Sequence, residues 1–244
     1  MGSLSELRKK NLELAKKAVK ESVNPDLFII NAINNIEELQ KIINTLAKRL
    51  REWYALYLPE IDRKLTEHST FLRLILEKDK KALMKEFKVH ETMGAELEKK
   101  DLEPVLSLAK RIEDLNKEAA LLEKYLEETM KAYCPNLTVL AGAHIGAKLL
   151  KGAGSLKKLA MMRSSTIQLL GAEKALFRHI RTGARPPKYG YLLQHQLVQK
   201  AKKEEKGKAA RALADKLFLA VRIDYFKGEF IADKLLKELE ERFK

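Results

Sequence analysis

The hydrophobic positions of this chain recur at helical spacing over long stretches. From Ile36, the apolar residues Leu39, Ile43, Leu46, Leu50, Trp53 and Tyr57 follow at alternating steps of three and four, with Lys, Arg, Glu and Asn between them. A second run, Val105, Leu108, Ile112, Leu115, Ala119, Leu122, Leu126 and Tyr133, keeps the same rhythm with polar Thr129 as its one interruption. Such spacing draws a single apolar stripe along each of two helices, the seam of a coiled coil. Each stripe covers roughly 30 residues, about 45 Å of helix, and equal lengths favour an antiparallel pair. No stretch alternates apolar and polar residues at the period of a strand. The expected class is all-α: a long antiparallel coiled-coil hairpin with a helical tip, followed by a compact helical domain.

Proline punctuates this pattern. Pro25, Pro59, Pro104, Pro135 and the pair Pro186-Pro187 stand at the borders of the apolar runs, where helices start or stop. Residues 59–101 form the tip, broken near Gly94. Its Phe71, Leu72, Leu74, Ile75, Leu76, Leu83, Met84 and Phe87 outnumber what a narrow hairpin buries. Either a closed local core or a contact between two copies accounts for them. The second reading makes a homodimer through the coiled coil, with Phe71, Leu72, Ile75, Leu76, Leu83 and Phe87 at the contact. After Cys134-Pro135 the texture changes, with eight glycines between residues 136 and 226 against two in the first 135. The expected divisions are a Lys-rich linker helix within 1–23, on Leu7, Leu14, Ala18 and Val19; the hairpin and dimerisation domain over 24–135; a second domain over 136–227; and a C-terminal helix over 228–244.

Charge sharpens the division. The chain carries 48 Lys and Arg against 34 Asp and Glu, a formal charge of +14, yet residues 136–226 alone hold 18 basic and 5 acidic residues. A mixed-charge surface explains the rest; a basic segment this poor in acids reads as a site for a polyanion. The lone Cys134 has no partner for a disulfide and no neighbouring ligand for a metal, which points to a reducing, cytoplasmic setting. The opening Met1-Gly2-Ser3 lacks a signal-peptide pattern and resembles a cloning remnant, with native sequence expected to have preceded it. The longest small and apolar stretch, 137–150, contains His144 and Lys148 and is too short for a bilayer, so no membrane partner is expected.

Catalytic constellations are not found. Gly152 to Lys158, GAGSLKK, lacks the spacing and upstream strand of a nucleotide-binding loop and reads as a turn in which Gly154 stops one helix and Ser155 caps the next. Gly142 and Gly146, four apart, suit close helix packing. The histidines His68, His90, His144, His179 and His195 are scattered, and Ser164-Ser165-Thr166 reads as a hydroxyl-capped helix start. No metal, cofactor or enzymatic activity is implied.

The most specific stretch is GAEKALFRHIRTGARPPKYGY, Gly171 to Tyr191. It joins a glycine break, an amphipathic helix and a rigid basic loop, and it spaces Lys174, Arg178 and Arg181 by four and three, so that all three project from one edge toward phosphates. GAEKALFR, the PPKYG loop and the closing KGKAARALADKLFLAVRIDYF strongly resemble the Nop domain, and the hairpin opened by VNPDLFIINAINNIEEL is similar to the coiled coil of that family, in particular the archaeal core protein of box C/D small ribonucleoproteins.

The resemblance implies an RNA-binding scaffold for guide-directed 2′-O-methylation. Its ligand would be box C/D guide RNA folded into a kink-turn and already bound by a small kink-turn-binding protein. The motif carries over Gly171, Ala172, Glu173, Lys174, Phe177 and Arg178 as binding residues, and the charge pattern adds Arg181, Arg185, Lys188, Lys200 and Lys202. Where relatives place His before Ser or Thr, this chain has Gln194 followed by His195, and His195 is carried over as a candidate. Fibrillarin, which supplies the methyltransfer, is expected to dock only on an N-terminal domain to which nothing here corresponds. Two alternatives remain: a spliceosomal Nop-type protein of a kink-turn ribonucleoprotein, and a basic coiled-coil adaptor for anionic membranes.

Overall fold

A computed structural model describes residues 4–243, so the reading of Met1-Gly2-Ser3 lies outside the described residues. Among those described, every regular element is helical, and no helix is long and apolar enough to cross a membrane. The chain divides into two compact units, one of residues 34–123 and one in which the segment up to Ile33 joins residues 124 onward.

The first six helices are α1 (Leu4–Glu21), α2 (Pro25–Tyr54), α3 (Pro59–Lys64), α4 (His68–Glu77), α5 (Lys80–Glu86) and α6 (Lys99–Tyr133). Pro25 and Pro59 open α2 and α3, where a missing N–H costs nothing. Pro104 instead lies inside α6, near enough to its start that only an early backbone bond is lost. In α1 no residue is buried.

Within the unit of residues 34–123, α2 and α6 run antiparallel. Gln40 Nε2 donates to Glu123 Oε1 at 3.3 Å, and Ile43, Leu50 and Tyr54 share one core with Ala119, Ile112 and Val105. The buried stripe departs in detail from the heptad expected. Ile43, Ala47, Leu50 and Tyr54 are buried, whereas Leu46 is half-buried and Trp53 is 42% exposed. On α6 the buried positions are Val105, Ala109, Ile112, Ala119, Leu126 and Met130, with Leu108, Leu115 and Leu122 half-buried. The seven-residue repeat is kept, through Ile36, Ile43 and Leu50 on α2 and Val105, Ile112, Ala119 and Leu126 on α6, but the second member of each pair lies four residues on rather than three, at Ala47 and Tyr54 and at Ala109 and Met130. Ala47 and Ala109 thus take the places that the spacing gave to Leu46 and Leu108.

The tip residues expected at a contact between copies are used differently. Phe71, Leu72, Ile75 and Leu83 are buried within the single chain, and Leu76 and Phe87 are half-buried against the same core. The tip is three short helices, α3 to α5, rather than a narrow turn, and this gives enough surface to close over Tyr54, Leu58 and Ile61. Tyr54 lies edge-on to both Tyr57 and Phe71, with centroids 5.7 and 5.6 Å apart. Phe71, Leu72, Ile75 and Leu83 thus close a local core within the single chain, while Leu76 and Phe87 keep part of their surface exposed.

Arg51 ties this tip together. Its Nε donates to Asp62 Oδ1 at 2.6 Å, its Nη2 donates to the carbonyls of Asp62 (2.7 Å) and Leu65, and its guanidinium lies 5.0 Å from the Phe71 centroid. A cation placed on the last carbonyls of α3 supplies acceptors that the helix leaves unpaired. Gly94 brings the returning chain onto the turn between α2 and α3: a Cβ there would lie 2.1 Å from Tyr57 O, and Ala95 N donates to Leu56 O at 2.8 Å. Arg51→Ala is expected to lower stability by about 2–3 kcal/mol, seen as a lower urea midpoint, because it strands these acceptors in a half-buried place.

The second unit is built on α13 (Lys206–Phe226), whose Ala209, Ala210, Ala212, Leu213, Ala214, Leu217, Ala220 and Val221 are all buried. Around it pack α7 (Pro135–Ala141), α9 (Leu156–Met161), α10 (Ser164–Leu169), α12 (Gln196–Lys200) and α14 (Ala232–Arg242), while α8 (Ala143–Ala153) packs on α7 and α9. Alanine along α13 lets several helices approach it closely. Gly146 serves the same end in α8, since a Cβ there would fall 2.7 Å from Met130 Cε. The Gly154-Ser155 turn forms as the sequence implies: Gly154 is left-handed at φ +83°, and Ser155 Oγ accepts from Lys158 N at 3.1 Å. The hydroxyl cap expected before α10 does not form, because Arg163 occupies that place without a side-chain bond.

Two carboxylates staple this unit. Asp224, near the end of α13, accepts from Asn136 N (3.1 Å), Asn136 Nδ2 (2.8 Å) and Leu137 N (2.8 Å), and so caps α7. Asn136 Oδ1 in turn accepts from Ile231 N and Ala232 N at the start of α14. Asp26, 5% exposed, accepts from Leu156 N at the start of α9 at 3.0 Å.

Candidate nucleic-acid interface

The segment between α10 and α13 is held by main chain. Gly190 N donates to Gln168 O at 3.0 Å, Tyr191 N to Leu170 O at 2.7 Å, and Gln168 Nε2 to Lys188 O at 2.6 Å. The PPKYG loop is thereby laced to the residues just before the GAEK turn. Gly190 must be glycine here, because a Cβ would stand 1.9 Å from Leu170 O. Gly171, at φ +88°, lies under the Tyr191 ring with no room for a side chain, and its N–H donates to Glu173 Oε1 at 2.7 Å. From this turn springs α11 (Glu173–Thr182), closed by left-handed Gly183 at φ +66°.

No residue of α11 is buried. Ala172, Ala175, Leu176 and His179 are half-covered, and His179 Nδ1 pairs with Ala184 O. On the free side Lys174, Arg178 and Arg181 form the single edge that their spacing implies, all exposed and without an ion pair among the described residues. Beside that edge stand Phe177, 63% exposed, and Ile180, 68% exposed. Phe177 was named by the sequence motif; Ile180 was not, although its place three residues further along the same helix was the available signal. An apolar pair left in water next to a row of uncompensated cations marks a docking surface with two chemistries.

The remaining basic candidates extend outward. Arg185 is exposed in the loop, and the exposed Lys188 lies along Gly207 at the start of α13, where a Cβ would meet its stem at 3.4 Å. Lys200 and Lys202 are exposed around the end of α12. Glu173 is occupied with the Gly171 N–H, and Gly171 and Ala172 shape the turn; these three act through position. His195 faces inward instead. Its Nδ1 accepts from Leu197 N at 3.3 Å as the cap of α12, and the ring also hydrogen-bonds the backbone of Leu140. Burial holds its pKa below the ordinary 6.5, with the Leu140 bond opposing, so the ring is neutral at pH 7. Gln194 is exposed and accepts from the buried Lys148 Nζ at 3.1 Å. Among the described residues no group of three or more His, Cys, Asp or Glu is gathered to hold a metal.

The family model described as Nop, snoRNA binding domain, fibrillarin, matches residues 35–244. The chain belongs to the Nop family. The Nop chain is 43% identical over 258 aligned positions to an uncharacterised NOP5 family protein of Methanocaldococcus jannaschii, a match covering 97% of this chain and 62% of that protein. It is 35% identical to nucleolar protein 56 of Saccharomyces cerevisiae over 253 positions, covering 93% of this chain and 50% of the relative. With nucleolar protein 58 of Neurospora crassa it shares 39% identity over 215 positions, 82% of this chain and 36% of the relative. The chain thus spans less than two thirds of the length of each of these curated relatives. Among solved structures, a chain of the crystal structure of a fibrillarin/Nop5p complex matches 98% of this Nop chain at 27% identity and a TM-score of 0.56, over 77% of its own length.

One expectation is overturned by these matches. Fibrillarin is not confined to a domain ahead of this chain, since the family description that spans residues 35–244 names fibrillarin and the fibrillarin/Nop5p structure aligns with nearly all of the chain. The expectation was carried over from the resemblance, and no contact read from the residues of this chain stood behind it.

Gly190→Ala is expected to push the PPKYG loop off Leu170 and to cost about 2 kcal/mol in a urea melt. His195 gives a pH signature. Its folded pKa lies below the ordinary 6.5, so its contribution to stability is present above pH 6.5 and is lost as the pH falls from there through the folded value. His195→Gln should flatten the fall of Tm over that acid window; an unchanged pH profile would remove the ring from the cap assigned to it.

Proposed function

We propose that this Nop chain is a non-enzymatic scaffold of a box C/D ribonucleoprotein for guide-directed 2′-O-methylation, recognising kink-turn RNA together with the small protein bound to it. The observation that carries the reading is α11: a helix with no buried residue, whose free side sets Phe177 and Ile180 beside Lys174, Arg178 and Arg181. Phosphates take the cationic edge, by charge and by the forked guanidinium geometry. The apolar pair requires a protein surface, because RNA backbone offers it nothing. A composite of RNA and protein satisfies both at once, and structured RNA is read chiefly through backbone and shape. The backbone lacing at Gly190 and Tyr191 holds the helix ready for that composite. Methyltransfer is the work of fibrillarin, the partner named with Nop5p in the similar solved structure.

The hairpin unit we assign to pairing with a second copy. Support comes from Trp53, Leu56 and Met93, which are 42, 61 and 77% exposed at the tip. This is a different surface from the buried residues first considered. Sedimentation of Trp53→Ala with Leu56→Ser should shift the chain toward monomer, and an unshifted dimer would remove this surface.

Salt dependence separates the two chemistries of α11. Lys174→Gln with Arg178→Gln should weaken binding to a preformed kink-turn RNA–protein complex and reduce the slope of log K against log salt by roughly 2. Phe177→Ala with Ile180→Ser should weaken binding by at least tenfold while leaving that slope alone. Gel-shift titrations at several salt concentrations measure both. If either pair leaves affinity untouched, α11 is not the composite surface.

A further inference from the structure

The link between α9 and α10 is two residues of extended chain, Met162 at φ −75°, ψ 151° and Arg163 at φ −74°, ψ 152°. It stands off α13 and leaves a cleft, lined by Met161, Met162, Arg163 and Ser164 on one side and by Phe218 and Arg222 on the other. The chemistry of this cleft is specific. Met161 is 59% exposed, an expensive place for a thioether. The Arg222 guanidinium lies 5.2 Å from the Phe218 ring centroid, so a flat cation and a flat ring form one wall. Neither Arg163 nor Arg222 makes an ion pair or side-chain hydrogen bond among the described residues, and no acid lines the cleft. None of these residues is used by the α11 surface.

A concave apolar floor with two uncompensated guanidinium groups at its rim asks for a ligand with a flat face and an attached anion. A nucleotide has both. We propose that this cleft seats one nucleotide of single-stranded RNA, its base against Met161, Met162 and Phe218 and its phosphate between Arg163 and Arg222. Base stacking on side-chain faces and on guanidinium planes tolerates any sequence, while the arginines meet the backbone. An acidic peptide lacks the flat face, and a headgroup of a bilayer would leave the floor uncovered. Arg163 stands at one end of α10, and the other end leads through Leu170 and Gly171 to α11. The six residues of α10 make about 9 Å of helix, so a strand leaving the structured RNA at α11 reaches the cleft within a few nucleotides. This inference rests on the RNA-binding reading of the chain and adds a second contact to it.

The test uses the full chain and fluorescent hexauridylate. Arg163→Gln with Arg222→Gln should weaken hexauridylate binding by about tenfold and reduce its salt slope by about 1.4, while affinity for a kink-turn RNA–protein complex without a single-stranded tail stays unchanged. Both side chains are exposed, and an unaltered melting curve confirms the fold. In the unsubstituted protein, hexauridylate carrying 4-thiouridine should crosslink to the peptide of residues 161–163 or that of 218–222. Equal binding by both proteins, or crosslinks confined elsewhere, overturns the proposal. So does full displacement of hexauridylate by equimolar phosphate or by phosphatidylglycerol vesicles, which would make the cleft a simple anion or lipid site. The two readings fail separately. Hexauridylate binding lost in the arginine variant, with no binding of the kink-turn complex by either protein, sinks the kink-turn reading and keeps the cleft; the reverse sinks the cleft alone.

Discussion

Backbone pairing between the end of α10 and the PPKYG loop is the constraint on which the basic unit's function depends. Helix α11 has no core of its own, so side-chain burial cannot orient it. What orients it is the exchange of Gly190 N and Tyr191 N with the carbonyls of Gln168 and Leu170, made possible by a contact too close for any Cβ. Both flanks of the helix are thereby fixed to the same short stretch of chain. The stability of the site thus comes from outside it, and the side chains of α11 are left free for recognition. This is the arrangement that a binding surface needs if it is to be ordered before its ligand arrives.

Beneath that, α13 organises the unit in a way that links distant parts of the sequence. Its alanines admit neighbours at close range, and its Asp224 holds the start of α7 through Asn136, which also receives the first N–H groups of α14. Burial pushes the Asp224 carboxyl above its ordinary range, against the three N–H donors that favour the charge. The opposition has a plain meaning: the bonds are there for geometry, and the unit accepts an electrostatic cost to fix three helix ends at one point.

Much of this was legible in the sequence, for identifiable reasons. The all-α class followed from apolar spacing, and the turn at Gly154-Ser155 from one residue that tolerates a left-handed backbone and one that caps. The edge of Lys174, Arg178 and Arg181 followed from spacing alone. The heptad seam kept its period but misplaced Trp53 and Leu108 by one residue each, because alanines at 47 and 109 carry little hydrophobic weight beside the leucines at 46 and 108. The fate of the tip residues could not be read, since whether Phe71 and Leu83 face inward depends on how three short helices fold back, which spacing does not encode. The capping place of His195 could not be read for a similar reason: its partners, Leu140 and Leu197, include one far away in sequence. The cleft at Met161 needed the structure outright, as its walls come from α9, α10 and α13.

The seven-residue stripe of the hairpin also limits how its length can vary. An insertion of seven residues in both arms continues the repeat and keeps the two stripes face to face. An insertion of five residues turns everything beyond it by about 140° and carries the stripe toward solvent. The arms therefore behave as a ruler divided in sevens, on which a spacing once set is hard to adjust by small steps.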